Sequence, residues 1–131
     1  MGRWLGIDYG AKRVGVALSD ESGQHVFPRE TINNLGTAKL IVALRELIAA
    51  EDVDRMVVGL PLTMRGERGP QAIEVQSAME RIGEALSIPI EYEDERLSSS
   101  LADRFSNSKF SRDSLAAAAI LESFLSRRRQ S

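Results

Sequence analysis

Three acidic side chains stand at positions where a folded chain could use them for chemistry. Asp8 ends a short apolar segment, Glu95 follows another, and Asp113 lies near the start of an alanine-rich segment. A buried carboxylate is costly unless it is paired or binds a metal ion. Carboxylate oxygens suit Mg²⁺ or Mn²⁺, and two such ions about 3.5–4 Å apart can promote phosphodiester hydrolysis without a covalent protein nucleophile. The three residues are therefore candidate metal ligands and catalytic residues.

Each acid also has a simpler structural explanation. Asp8 could begin a turn from a solvated strand end, and the charged segment 94–96 could end a strand with a surface ion pair. Asp113 could complement the dipole of a helix that Ser111 caps. A metal site is favoured only if the three carboxylates meet, because close carboxylates repel one another and their pKa values rise without a cation.

The hydrophobic pattern predicts the element order βββαβαβαα. Strands are predicted at 3–9, 14–19, 25–32, 54–60 and 88–94, and helices at 37–51, 70–86, 96–105 and 112–127, with a polar loop at 106–111. The short link between the first two strands indicates an antiparallel hairpin. Pro28 places the third strand at an edge, because proline cannot donate to a central ladder.

The later strands are separated by helices, which indicates parallel crossovers. The predicted fold class is therefore α/β: a single domain over residues 1–131, with a mixed five-stranded sheet and helices on both faces. In such a sheet the first and fifth strands can bring Asp8 and Glu95 together, and the last helix can add Asp113. In the helix at 70–86 the residues expected to face inward are Ile73, Met79, Ile82 and Leu86.

The composition suits a protein of the cytoplasm. The 131 residues are 43% hydrophobic and include no cysteine, so the chain can build a core without disulfides. The N-terminus lacks the pattern of a signal peptide, and no segment approaches the ~20 apolar residues of a membrane span. The single histidine, His25, is expected to be structural, and residues 127–129 (RRR) are expected to form a solvated tail.

The charge balance gives little help in choosing a partner. The net charge of −2 counts against a nucleic-acid-binding protein, many of which are basic, but it does not exclude one if the cations share a face. The glycine spacing matches neither a Walker loop nor a dinucleotide fingerprint. Residues 7–10 (IDYG) resemble the first hairpin of actin-like and sugar-kinase ATPases, but those are much longer, two-domain chains.

Four blocks stand in a characteristic order: GIDYG with KRVGVA in 6–17, VVGLP in 57–61, DERLSS in 94–99, and DSLAA with IL in 113–121. They resemble the YqgF/RuvX family, the RNase H-like relatives of the RuvC resolvases. Members of that family are described as pre-16S rRNA nucleases and as Holliday junction resolvases. The resemblance covers nearly the whole chain and implies an RNase H-like core.

The resemblance implies that Asp8, Glu95 and Asp113 form the acidic triad and hold two Mg²⁺ or Mn²⁺ ions. Strand alternation leaves Asp94 as the rival of Glu95, which the resemblance favours. The residues expected to contact nucleic acid are Lys12, Arg13, Arg96, Lys109 and Arg112. Two departures from the family pattern stand out: residues 64–67 read MRGE where the family often has Asp-Gly, and the loop before the last helix is short.

The resemblance implies a metal-dependent endonuclease that processes the 5′ end of precursor 16S rRNA in ribosome biogenesis, as a monomer or homodimer. One alternative is a Holliday junction resolvase acting on branched DNA. An alternative of another class is a catalytically idle nucleic-acid-binding protein that keeps the fold.

Overall fold

The structure is a computed structural model that describes residues 2–105 and 109–130, so part of the predicted loop at 106–111 lies outside the described residues. The elements are β1 (Arg3–Asp8), β2 (Arg13–Ser19), β3 (Val26–Asn33), α1 (Thr37–Glu51), β4 (Val53–Leu60), α2 (Pro70–Leu86), β5 (Ile90–Asp94), a 3₁₀ segment (Glu95–Phe105) and α3 (Arg112–Gln130). The predicted element order is confirmed.

The five strands form one mixed sheet in the order β3-β2-β1-β4-β5. β1 and β2 pair antiparallel as a hairpin, and β3 pairs antiparallel with β2 at the edge of the sheet, where Pro28 was expected. β4 pairs in parallel with β1 on one side and with β5 on the other. The carboxyl ends of β1, β4 and β5 therefore lie at the same edge of the sheet.

Helices cover both faces of the sheet. On one face, Leu40 and Leu44 of α1 and Met79 and Ile82 of α2 join a core with the strands. On the other face, α3 packs through Ala117, Ile120 and Leu121, together with Trp4 and Val57. Small strand residues let α3 lie close: a Cβ added to Gly6 would be 2.8 Å from Leu121 Cβ.

The helix expected at 96–105 is present as a 3₁₀ helix, a type that the sequence pattern did not distinguish. Two local expectations are wrong. Ile73 does not face inward, since 56% of it is exposed while Met79 and Ile82 are fully buried. Residues 127–129 are not a solvated tail, because α3 continues through Gln130 and their side chains contact the body of the domain.

In the part of the chain that the structure describes, no helix is both long and apolar enough to span a membrane. The backbone of His25 closes the turn before β3: its carbonyl accepts a hydrogen bond from the Asp20 N–H at 3.0 Å. The imidazole is exposed, so only the backbone of this residue has a structural role that the contacts identify.

Candidate active site

Asp8 and Glu95 lie at the same edge of the sheet. Asp8 is the last residue of β1, and Glu95 immediately follows Asp94, the last residue of β5. Both strands flank β4 and run parallel to it, so they end together. The two carboxyl groups are close enough for Glu95 to raise the pKa of Asp8. The edge formed by the carboxyl ends of parallel strands is where open α/β sheets bind their ligands.

The electrostatics of Asp8 are those of a crowded carboxylate cluster. Burial is the largest cause, and the charge and side-chain oxygen of Glu95 and then the charge of Asp113 act in the same direction; together they raise its pKa to about 7. Each of these causes disfavours the charged form of the carboxyl. A cation at this place would reverse the effect by favouring the ionised form.

Asp113 is brought to the cluster by a close approach of α3 to β2. Gly15 pairs with Asp8 across the β1–β2 ladder, and a Cβ added to Gly15 would be 1.9 Å from the Asp113 carbonyl oxygen. Only glycine permits this contact. Next to Gly15, where the register between β2 and β3 shifts, the Val16 N–H donates to the Ser114 hydroxyl at 3.4 Å. The start of α3 is therefore fixed against the strand that neighbours Asp8.

The first turn of α3 also has the cap that the sequence predicts. The Ser114 N–H donates to Ser111 Oγ at 3.4 Å, and the Leu115 N–H donates to the Ser111 carbonyl at 3.0 Å. A serine at this position accepts from helix N–H groups that have no partner within the helix. The cap fixes the orientation of the turn that carries Asp113.

Arg13 binds Asp113 directly. Arg13 Nε donates to Asp113 Oδ2 at 2.9 Å, and the side chains are 59% and 33% exposed. An exposed ion pair of this kind contributes little to stability, about 0–1 kcal/mol. Its position matters more, because a guanidinium at the rim of an acidic cluster can orient a carboxylate and contact an incoming phosphate.

Asp94, the rival of Glu95, faces a different partner. Both of its carboxylate oxygens accept hydrogen bonds from Arg96, with Nη2 to Oδ2 at 2.6 Å. The bonds from Arg96 keep the pKa of Asp94 below its usual value. Arg96 Nη1 also donates to the Met64 carbonyl at 3.2 Å, which ties the loop after β4 to the end of β5.

The other residues expected to contact nucleic acid are less tightly grouped. Lys12 and Arg112 are exposed and adjoin Arg13 and Asp113 in the chain. Lys109 lies beside Phe110 along a groove between β3 and α1. The structure thus brings Arg13 to the acidic cluster and Arg96 to the neighbouring loop.

An ion pair on a buried glutamate, which the sequence analysis missed, lies behind the cluster. Glu93 is 1% exposed and accepts hydrogen bonds from Ser123 Oγ and Arg127 Nη1, both at 2.6 Å, while Arg127 Nη2 binds its second oxygen. This network joins β5, two residues before Glu95, to the far end of α3. The alternation of acids in 91–95 was a signal that one face of β5 is acidic, but nothing in the sequence pairs Glu93 with a residue 34 positions away.

The donor chemistry of the cluster fits a hard divalent cation. Asp8, Glu95 and Asp113 offer carboxylate oxygens only, which suits Mg²⁺ or Mn²⁺. The raised pKa of Asp8 comes from burial and then from the neighbouring carboxylates. As they stand, however, the described ranges 2–105 and 109–130 contain no group of three acidic or histidine side chains close enough to enclose an ion. In this arrangement Oδ2 of Asp113 accepts a hydrogen bond from Arg13.

The fold and the acidic edge define an α/β protein of the RNase H-like class. The fold is similar to that of Thermus thermophilus RuvC solved in complex with a Holliday junction substrate, with a TM-score of 0.64, 12% identity, and coverage of 100% of this chain and 98% of that one. It is also similar to the fowlpox virus Holliday junction resolvase, with a TM-score of 0.60, 10% identity, and coverage of 95% and 99%. At these identities the similarity establishes the fold alone.

Sequence comparison identifies the family. The model of the RuvX family, described as Holliday junction resolvase, matches residues 2–127. A Chloroflexus aurantiacus protein named "Putative pre-16S rRNA nuclease" is 41% identical, over 95% of this chain and 87% of its own length. A Thermosynechococcus vestitus protein of the same name is 40% identical, over 96% and 89%. The chain belongs to the RuvX family.

Proposed function

We propose that this protein is a divalent-metal-dependent endonuclease that cuts phosphodiester bonds of structured nucleic acid and acts in the cytoplasm on the 5′ end of precursor 16S rRNA. The observation that carries the proposal is the carboxylate cluster at the sheet edge, where Asp8 has a pKa near 7 beside Glu95 and Asp113. The names of the curated relatives support the choice of substrate.

In this proposal Asp8, Glu95 and Asp113 hold two Mg²⁺ or Mn²⁺ ions. Bound ions of this kind supply an activated water and stabilise the leaving oxygen. Asp8 contributes as a carboxylate, so it must give up the proton that its raised pKa favours. Gly15 and Ser114 keep the start of α3, which carries Asp113, against the strand that neighbours Asp8.

The cations at the rim bind the substrate backbone. A guanidinium has five N–H donors, so Arg13 can hold Asp113 and contact a phosphate at the same time. Lys12 and Arg112 extend this positive rim on either side. Arg96 fixes the neighbouring loop while its exposed side chain faces the same edge.

The test is cleavage of a precursor 16S rRNA fragment with Mg²⁺ or Mn²⁺ by the wild type, Asp8→Asn and Asp113→Asn. We expect each variant to lose at least about 100-fold in kcat, the scale of loss when one charged group leaves a preorganised catalytic site. Glu74→Gln, at an exposed position of α2, is the matched control and should cut normally. Equal cleavage by wild type and Asp8→Asn would remove the cluster from the mechanism.

A second candidate is resolution of Holliday junctions, which the description of the family model favours. It would use the same carboxylates, so the discriminating experiment compares precursor rRNA with a four-way DNA junction under identical conditions. A resolvase that cuts two symmetric strands should be a dimer. Junction cleavage by a dimer, with no cleavage of rRNA, would favour this candidate over rRNA processing.

A third result is that the protein binds nucleic acid without cutting it, as it would if Asp113 stayed paired with Arg13. If wild type and Asp8→Asn bind nucleic acid equally, with a steep salt dependence, and neither cuts with Mg²⁺ or Mn²⁺, the protein is a binding module.

A further inference from the structure

The loop between β4 and α2, residues 61–69, begins at the same sheet edge as the candidate active site. Leu60 at the end of β4 pairs with Asp94, whose neighbour is Glu95. On its other side β4 pairs with β1, the strand that ends at Asp8. The loop therefore leaves the sheet between the two carboxylates. Any nucleic acid bound at those carboxylates must pass next to it.

The backbone of this loop is held in a defined shape. The Thr63 N–H donates to the Glu67 carbonyl at 2.9 Å, and the Gly66 N–H donates back to the Thr63 carbonyl at 2.8 Å. Gly66 has a φ of 81°, a left-handed conformation that glycine adopts without strain. Arg96 donates to the Met64 carbonyl at 3.2 Å. The tip of the loop is thus fixed to the residue that follows Glu95.

This ordered tip presents an apolar side chain to solvent. Met64 is 95% exposed, more than any other large apolar side chain that the structure describes. Its neighbours Arg65 and Arg68 are exposed cations, and Arg68 donates to Gln76 of α2 at 2.7 Å. Burying a methionine side chain is worth about 1.5–3 kcal/mol, so the loop forgoes that stabilisation in the isolated protein.

Apolar side chains flanked by arginines suit nucleic acid. Proteins that distort nucleic acid insert methionine, leucine or phenylalanine between bases, and the methionine sulfur packs well against aromatic rings. Arginine binds phosphate through paired N–H donors. A single protruding side chain matches a gap between bases better than it matches a protein surface, which would need a broader apolar patch.

We propose that residues 61–69 grip the substrate, with Met64 packed against or between bases beside the cut phosphodiester and Arg65 on an adjacent phosphate. This inference rests on the proposed nuclease function and adds a determinant of substrate recognition to it. Met64 and Arg65 are binding residues here and take no part in bond cleavage.

The test uses an RNA hairpin with a 5′ extension and a four-way DNA junction, each carrying 2-aminopurine next to the cut site. Binding is measured in Ca²⁺ by anisotropy and base exposure by 2-aminopurine fluorescence, on whichever substrate the wild type cuts. Met64→Ala is expected to weaken binding about tenfold, as loss of one stacking contact does, and to abolish the fluorescence change. Met64→Leu should retain both.

Arg65→Gln is expected to weaken binding and to reduce the slope of log K against log salt by about one, as loss of one phosphate contact does. The controls are Val42→Ala, which removes an exposed apolar side chain from α1, and Arg81→Ala, which removes an exposed cation from α2. Both should behave as wild type.

The outcomes separate this inference from the proposed function. If the wild type cuts and Met64→Ala matches Val42→Ala in affinity and fluorescence, the loop does not grip bases although the nuclease function stands. If the wild type neither cuts nor binds either substrate, both the nuclease function and the role of the loop are wrong. Because Met64 and Arg65 are exposed, their substitution should leave the melting temperature unchanged, and thermal unfolding of each variant checks this.

Discussion

The carboxyl group of Asp8 titrates near neutral pH, because burial, and after it the neighbouring Glu95, raises its pKa to about 7. In an unfolded chain the value would be near 3.9. Between these two values the folded protein holds a proton that the unfolded chain has lost. The stabilisation that comes from this proton is complete below about pH 4 and is lost as the pH rises through 7.

Asp8→Asn should therefore stabilise the metal-free protein at pH 8, because it removes a buried charge that the wild type must carry there. At about 1.4 kcal/mol per pKa unit, the gain is of order 2–4 kcal/mol at pH 8 and falls towards zero near pH 4. Urea unfolding with EDTA across this pH range measures it. A gain that does not change with pH would show that Asp8 is not the group responsible.

Added metal should have the opposite pH dependence. An ion at the cluster requires ionised Asp8, so 5 mM Mg²⁺ or Mn²⁺ should raise the melting temperature at pH 8 and much less at pH 5.5. EDTA should reverse the shift, and Asp8→Asn should reduce it at both pH values. A shift at pH 8 as large in the Asp8→Asn variant as in the wild type would place the ion elsewhere.

At the scale of elements, the contact between β2 and the start of α3 determines where Asp113 stands. Gly15→Ala would put a Cβ 1.9 Å from the Asp113 carbonyl, so the helix must move. We expect a loss of about 1–3 kcal/mol of stability and about 100-fold in kcat, because a displacement near 1 Å is enough for that. Stability by urea and single-turnover cleavage measure the two effects.

Gly59→Ala is the matched control for Gly15. Its added Cβ would meet the end of the Ile120 side chain, 2.5 Å away, in the middle of the same helix. A side-chain end can turn aside where a carbonyl in a helix cannot, so we expect destabilisation with little change in kcat. If both variants lose kcat equally, activity depends on the overall packing of α3 against the sheet, and the first turn of α3 has no special role.

The end of β5 depends on the ion pair between the buried Glu93 and the half-exposed Arg127, which joins it to α3. Removal of Arg127 leaves the buried charge of Glu93 unpaired, so Arg127→Leu should destabilise the protein by about 2 kcal/mol or more. Glu93→Leu should cost less, because about half of the Arg127 side chain is exposed to solvent. The double variant should lose less than the sum of the two, with a coupling of at least about 1 kcal/mol. Additive losses in urea unfolding would mean that the pair is not coupled.

The elements show what the sequence could and could not predict. Helix 70–86 and the β1–β2 hairpin followed from local patterns, and α2 has the predicted bounds. Glycine inside a strand indicates close backbone approach, so Gly15 carried a usable signal. The partners of Glu93 and Asp113 carried none, because Arg127 and Arg13 are 34 and 100 residues away along the chain. Pairings of that separation come from tertiary packing, which no local pattern encodes.

At the scale of the whole molecule, charge is balanced overall and uneven locally. The chain has 17 Lys and Arg against 19 Asp and Glu, a net charge of −2. A negative molecule does not attract a polyanion from a distance, since long-range steering depends on the summed field. Contact with nucleic acid then depends on the few cations at the acidic edge, such as Lys12, Arg13 and Arg112.

This distribution predicts how salt should act on binding. Three or four local phosphate contacts give a slope of about −3 in log K against log salt, so affinity should fall roughly 50-fold to 100-fold between 50 and 200 mM NaCl. Because steering is weak, the association rate should fall less than about threefold, and most of the loss should appear in dissociation. Stopped-flow fluorescence in Ca²⁺ resolves the two rates.

A charge-altered variant makes the salt prediction decisive. Glu74→Lys with Glu84→Lys changes two exposed positions of α2 and brings the net charge to +2. It should raise the association rate at low salt and make that rate more sensitive to salt, while kcat and the dissociation rate stay the same. If the wild-type association rate already falls with salt as steeply as the affinity does, the cations at the acidic edge steer the substrate in spite of the negative net charge.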